Sequence, residues 1–196
     1  MVLEQTTIYY YSAPAWSHGS SVCLDDDSDL YRLKMALEFK CSLFIKKLKD
    51  GETVYLKQDG ERFQQAQTIK LNTNTDYEVR LNIRPVLALR NILIHEERYA
   101  LEKEQTNKEN EDDSSTYCIK LNTSRFELSK RGKRRDIPFV LEFERGMYLK
   151  INLQCKLYSE TETEHCHWGQ PLNTLLLECR VPEGQNFVEV QKEKYL

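Results

Sequence analysis

Tyr31-Arg32-Leu33-Lys34-Met35-Ala36-Leu37-Glu38-Phe39-Lys40-Cys41-Ser42-Leu43-Phe44-Ile45 places an apolar residue at every odd position. Arg32, Lys34, Glu38 and Lys40 occupy even positions between them. Successive side chains of a strand point to opposite faces, so this period of two predicts one long, half-buried strand. Wound as a helix, the same residues would scatter around every face.

The same alternation returns further along. Tyr77, Val79, Leu81 and Ile83 interleave with Glu78, Arg80, Asn82 and Arg84, and Pro85, which cannot donate to a ladder, should end that strand. Ile137, Phe139, Leu141 and Phe143 alternate, as do Met147, Leu149, Ile151, Leu153, Cys155 and Leu157. Asp50-Gly51 and Asp59-Gly60 are turn signals on either side of a short strand at Thr53–Lys57. Further strands are expected at Thr68–Leu71, within 86–94, at Tyr117–Leu121, Phe126–Leu128, Leu175–Val181 and Phe187–Val190. Residues 97–116 read as a charged loop with at most a helical turn. About ten strands and no long helix define an all-β chain, an antiparallel β-barrel or sandwich over residues 30–196.

Residues 1–29 lack a lasting period and are rich in Ser, Gly, Pro and Asp, which predicts a mobile tail. The tail is acidic: Glu4, Asp25, Asp26, Asp27 and Asp29 face no Lys or Arg before residue 31. A net charge of -3 therefore conceals an acidic tail, an acidic stretch near 101–116 and a basic remainder. The near-neutral total gives no reason to expect nucleic acid, and no stripe of stacking aromatics interleaved with Arg is present. No apolar run approaches the ~20 residues that span a bilayer, and no secretory leader is visible, so a cytoplasmic protein, peripheral to membrane at most, is expected. In that compartment the six cysteines should be reduced.

The densest chemistry lies in Glu164-His165-Cys166-His167-Trp168-Gly169-Gln170-Pro171. Three readings compete for it. A zinc site would use His165, Cys166, His167 and Cys179, but structural zinc needs four convergent ligands and usually a paired Cys spacing, which is missing. A Cys166–His dyad would need a third orienting group and an oxyanion hole, and nothing adjacent suggests either. The third reading is a packed turn anchored by Trp168, with Gly169 at an unusual backbone angle and Pro171 ending the turn. This reading is preferred, so no catalytic, metal or cofactor site is expected. Two basic features stand out besides. Lys130-Arg131-Gly132-Lys133-Arg134-Arg135 suits an anionic surface, or simply a solvated loop tip, or a partner for the acidic 108–113 stretch. Arg80 and Arg84, with Arg62 and Lys70 nearby in sequence, could form a basic face for an acidic partner.

Two blocks resemble the cannabinoid receptor-interacting protein family in order and spacing. One comprises Asp59-Gly60-Glu61-Arg62-Phe63, Thr68-Ile69-Lys70-Leu71 and Tyr77 through Pro85. The other comprises His165-Cys166-His167-Trp168-Gly169, Pro171, Glu178-Cys179, Pro182 and Lys192-Glu193 through Leu196. The chain departs from the family in its acidic tail, an insertion near Phe44–Lys49, its charged middle, and His167 where the pattern usually has Gln. The resemblance implies a barrel similar to Rho GDP-dissociation inhibitor. It also implies a non-enzymatic adaptor that binds the intracellular C-terminal tail of a cannabinoid-type G-protein-coupled receptor and modulates its signalling. The alternative it suggests is a carrier that houses a lipid-modified protein in the barrel interior.

Overall fold

The computed structural model describes residues 36–104, 113–144 and 146–196. The tail read at 1–29, the opening Tyr31–Met35 of the first alternation and the acidic residues 108–112 lie outside the described residues. The described residues form thirteen strands: β1 (Leu37–Lys47), β2 (Tyr55–Gln58), β3 (Gln67–Asn72), β4 (Asp76–Arg84), β5 (Leu89–Ile94), β6 (Glu97–Tyr99), β7 (Glu102–Lys103), β8 (Ser115–Asn122), β9 (Arg135–Phe143), β10 (Tyr148–Tyr158), β11 (Gln170–Pro171), β12 (Leu175–Val181) and β13 (Glu189–Tyr195). Among the described residues one α-helical turn, α1, covers Glu164–His167.

The strands form two sheets. The first runs β13-β12-β1-β4-β8-β7 and the second β11-β2-β3-β10-β9-β5-β6. They stack as an open sandwich, so the all-β class is as expected and the closed barrel is not. Strand β1 lies at the centre of the first sheet, with Leu43 opposite both Leu175 and Leu81. The chain then leaves that sheet and enters the other at β2, and an isolated Lys46↔Thr53 bridge spans this corner. The ladder is antiparallel except where β3 lies parallel to β10, with Lys70 opposite Lys156.

Alternation reports burial faithfully on the inner faces. Phe39, Cys41, Leu43 and Ile45 of β1, Tyr77, Val79, Leu81 and Ile83 of β4, and Leu149, Ile151, Leu153, Cys155 and Leu157 of β10 all enter one core. Each fully buried aliphatic or Phe side chain contributes about 1.5–3 kcal/mol relative to exposure. Phe39 of one sheet meets Phe143 of the other edge to face at 5.5 Å, a favourable aromatic arrangement.

Three local expectations change. The charged stretch after Glu97 holds two short strands, β6 and β7, and β8 begins at Ser115; strands of two or three residues are too short to show a period. Phe126–Leu128 is not a strand. Phe126 is buried while Leu128 is 57% exposed, and the segment instead makes a turn closed by Phe126 N donating to Thr123 O. The final strand starts two residues later than expected, at Glu189, and runs to Tyr195.

Candidate functional site

The outward face of each sheet follows from the same even-numbered positions, yet the two faces differ. On the first sheet, Arg80 and Arg84 of β4 are exposed. Arg80 pairs with Glu78 at 3.3 Å and Glu104 at 3.1 Å. Arg84 borders a surface hollow of about 700 Å³ together with Lys40, Glu178 and Arg180. On the second sheet one part of the outward face is covered. Thr68, Lys70 and Asn72 of β3 and Gln154 of β10 are all buried although they point away from the core. The four candidates Arg62, Lys70, Arg80 and Arg84 therefore do not form one surface. Arg62 and Lys70 belong to the second sheet's side, Arg80 and Arg84 to the first.

Two segments cover the second sheet. One is the loop after β2. Asp59 there accepts Thr68 Oγ1 at 2.7 Å and is gripped by Arg134, Nε at 2.8 Å and Nη2 at 2.9 Å. Both side chains are almost fully enclosed, 2% and 6% exposed. Burial pushes the Asp59 carboxyl up, but hydrogen bonds from Thr68, Arg134 and Lys57 outweigh it and hold the group below its usual range. Phe63 lies over the Arg134 guanidinium at 4.3 Å, with Arg62 on the same ring at 5.5 Å. Gln154 Nε2 donates to Thr68 Oγ1 and to Gln65 O, both at 2.8 Å, tying the loop down. Of the basic run 130–135, Arg134 is thus a buried structural partner and not part of a solvated tip.

The other cover is the stretch 164–171. It connects β10 to β12, and its buried residue is Cys166, not Trp168. α1 turns the chain by ~100° per residue and not 180°, so Cys166 faces the sheet, 3% exposed, while Trp168 stands 71% exposed. Cys166 Sγ donates to Asn72 Oδ1 at 3.2 Å. Asn72 Nδ2 donates to Ser159 O at 2.7 Å and Glu162 O at 2.9 Å. The Lys70 ammonium donates to His165 O at 2.6 Å and to Trp168 O. Gly169 has φ +130, and a Cβ there would collide with Leu56 O, so the close approach requires glycine. Pro171 pairs with Tyr55 in the β11–β2 ladder.

His167 lies at the corner between β1 and β2. Its Nε2 lies 3.0 Å from Lys47 Nζ and 3.2 Å from Glu52 Oε2. His165 stays on the surface beside Glu162. No cluster of three or more His, Cys, Asp or Glu suited to a metal occurs among the described residues. Burial pushes the Cys166 thiol up, the opposite of what an activated nucleophile needs.

Between the two covers lies a slot. Its cross-strand rows are Tyr55–Lys70–Lys156 and Lys57–Thr68. Lys57 Nζ is 3.1 Å from Asp59, Lys156 Nζ sits over Tyr158 at 5.0 Å, and Lys70 Nζ lies 5.3 Å from the Trp168 ring centroid. Desolvation, and then the crowding of Arg134 and Lys57, depresses the Lys156 pKa. Desolvation does the same for Lys70, opposed by Cys166 and reinforced by Lys57, Lys156 and Arg134. Sequence reading found Lys70 but missed Lys57, Asp59 as an ion-pair partner, Arg134 and Lys156, because nothing local reveals that β3 and β10 are neighbours. Beside the slot, β11 covers β2 only at Tyr55 and Leu56. The outer edge at Lys57 and Gln58 has no strand partner among the described residues, and it opens on a hollow of about 270 Å³ bordered by Trp168, Gly169 and Gln67.

Fold and site together define an all-β sandwich with one covered polar face, a basic slot and an open strand edge marked by an exposed tryptophan. The model of one protein family, described as CB1 cannabinoid receptor-interacting protein 1, matches residues 35–195. The proteins of that name from Bos taurus and Homo sapiens are each 32% identical over 174 residues, 88% of this chain and 100% of the relative. The protein from Mus musculus is 31% identical over the same span. The chain belongs to the CB1 cannabinoid receptor-interacting protein 1 family.

Proposed function

We propose that the chain is a non-enzymatic cytosolic adaptor that binds the intracellular tail of a cannabinoid-type receptor and so modulates its signalling. The docking site is the free edge of β2, where an extended segment would add as a strand. The observation that carries this site is the start of β11 at Gln170, opposite Leu56, which leaves Lys57 and Gln58 uncovered next to Trp168. An added strand would pair with that backbone, pack on the Trp168 ring and place acidic side chains near Lys57. The names of the relatives support the partner. No helix among the described residues is long and apolar enough to cross a membrane, which fits a protein meeting the tail from outside the bilayer. The carrier alternative has less support: the inner faces meet at Phe39 and Phe143, and the 700 Å³ hollow is rimmed by charge.

Fluorescence polarisation with a labelled receptor-tail peptide tests the site. Trp168→Ala should weaken binding at least tenfold, as loss of an interface Trp commonly does, and Lys57→Glu should weaken it further. Unchanged affinity in both would remove the β2 edge. Loss on replacing Arg80 and Arg84 instead would move the tail to the first sheet, beside the charged hollow at Lys40 and Arg84.

A further inference from the structure

We propose that the slot between the two covers of the second sheet takes the phosphorylated headgroup of an anionic membrane lipid. Lys57 and Arg134 meet there on one carboxylate, Asp59, and Lys70 and Lys156 face each other on the adjoining strands. That carboxylate is committed: Thr68 and Arg134 hold both its oxygens, and Lys57 shares one of them. The Lys70 ammonium is committed to two backbone carbonyls. Lys156 has the ring of Tyr158 and no hydrogen-bond acceptor among the described residues. It stands directly across the parallel ladder from Lys70, and like charges in that relation repel. An anion in the slot would convert this repulsion into attraction.

Two further observations favour a lipid over a free anion. The cationic field continues outward: the Gly132 turn approaches the Arg62 guanidinium, which brings Arg131 and Lys133 beside it. Trp168, largely exposed, stands at the slot's rim 5.3 Å from the Lys70 ammonium. An amphipathic ring next to clustered Lys and Arg is the combination that seats at the headgroup level of a bilayer. The binding is noncovalent, draws on Lys57 and Trp168 of the proposed tail edge together with Lys156, and is measured without any peptide, so it goes beyond the adaptor reading.

Co-sedimentation of the full chain with vesicles tests it. The vesicles are phosphatidylcholine alone, phosphatidylcholine with phosphatidylserine, and phosphatidylcholine with phosphatidylinositol bisphosphate at matched charge. The phosphoinositide vesicles should retain the protein best, with affinity falling as salt rises. Each cation removed near a charged membrane lowers affinity roughly five-fold, so Lys57→Gln with Lys156→Gln should lower it roughly 25-fold. Lys40→Gln with Lys46→Gln, on the other sheet, should leave it unchanged. In a Trp16→Phe background, emission from Trp168 should shift to shorter wavelength with phosphoinositide vesicles. Undiminished binding by the Lys57/Lys156 variant, with its melting temperature intact, overturns the assignment. Equal retention by phosphatidylserine vesicles at matched charge overturns the headgroup slot. Equally tight binding of soluble inositol trisphosphate, or of a phosphopeptide with no vesicle binding, overturns the lipid source.

Discussion

The outward faces of the two sheets begin from the same sequence pattern and end as different materials. On the first sheet, Lys46, Glu78 and Lys120 sit opposite one another across β1, β4 and β8. Its ion pairs, Arg80–Glu78 and Arg80–Glu104, are between residues roughly two-fifths exposed. Such pairs contribute little because water and salt screen them and long side chains lose entropy. On the second sheet the outward residues of β3, with Gln154 of β10, lie under a loop and a helical turn, and their side-chain polar groups have fixed partners. Removing one member there strands the other away from water. Exposure, rather than residue type, decides how much an outward polar residue contributes.

The largest expected effect follows from the Asp59–Arg134 pair. Asp59→Ala leaves a guanidinium enclosed without its carboxylate and should lower stability by about 3–5 kcal/mol. The same change at Glu104, which leaves Arg80 on the open face with Glu78 alone, should cost no more than about 1 kcal/mol. Denaturant unfolding of the two variants compares them directly, and equal losses would erase the distinction between the faces. The pair also predicts a pH dependence. Hydrogen bonds hold the folded Asp59 pKa below its unfolded value despite burial. Its contribution is therefore complete above the unfolded value, near pH 4, and is lost as pH falls through the depressed folded value. The wild type should lose stability in that acid window more steeply than Asp59→Ala.

A smaller contrast sets two outward strand cations side by side. Lys70→Met removes the donor to His165 O and Trp168 O and should cost about 1–3 kcal/mol for the carbonyls left without it. Amide hydrogen exchange should then rise first in 164–169, since that cover loses its tie to β3. Arg80→Met, on the exposed face, should stay within about 0.5 kcal/mol. A Lys70 variant as stable and as protected as the wild type would show that Cys166 and Asn72 hold the cover alone.

The inner half of the structure was legible from period two. β1, β4, β9 and β10 each present their odd or even set to the core as the alternation requires. The outer half was not, because a Lys at an even position reads the same whether water or another segment lies above it. Lys70 and Arg80 are alike in sequence context and opposite in burial. The parallel β3–β10 pairing joins residues more than eighty positions apart, so the Lys70–Lys156 neighbourhood left no local trace. Trp168 misled for a related reason. A bulky aromatic next to glycine suggests an anchor, but a single helical turn gives the inward position to Cys166 and the outward one to the ring. Gly169 was legible, since a glycine in that setting signals an unusual angle, and its φ and its contact with Leu56 supply the reason.

The smallest effect has the opposite sign and bears most directly on function. If the covered face were optimised only for stability, two lysines would not face each other across β3 and β10 with depressed pKa values. Relieving that repulsion by Lys156→Gln should raise stability by roughly 0.2–1 kcal/mol at neutral pH. Lys40→Gln, opposite Glu178 on the first sheet, should lower it slightly or not at all. The sign has a pH signature. A lysine with a depressed folded pKa binds fewer protons folded than unfolded between the two values, so wild-type stability should rise with pH through that alkaline window. Lys156→Gln removes its share of that rise and should reach its full stability at lower pH. Thermal unfolding of both proteins across the alkaline range measures this. A Lys156→Gln variant that is less stable than the wild type at neutral pH would mean that the lysine is held by favourable packing on Tyr158, and that the slot is not strained in the way an anion would relieve.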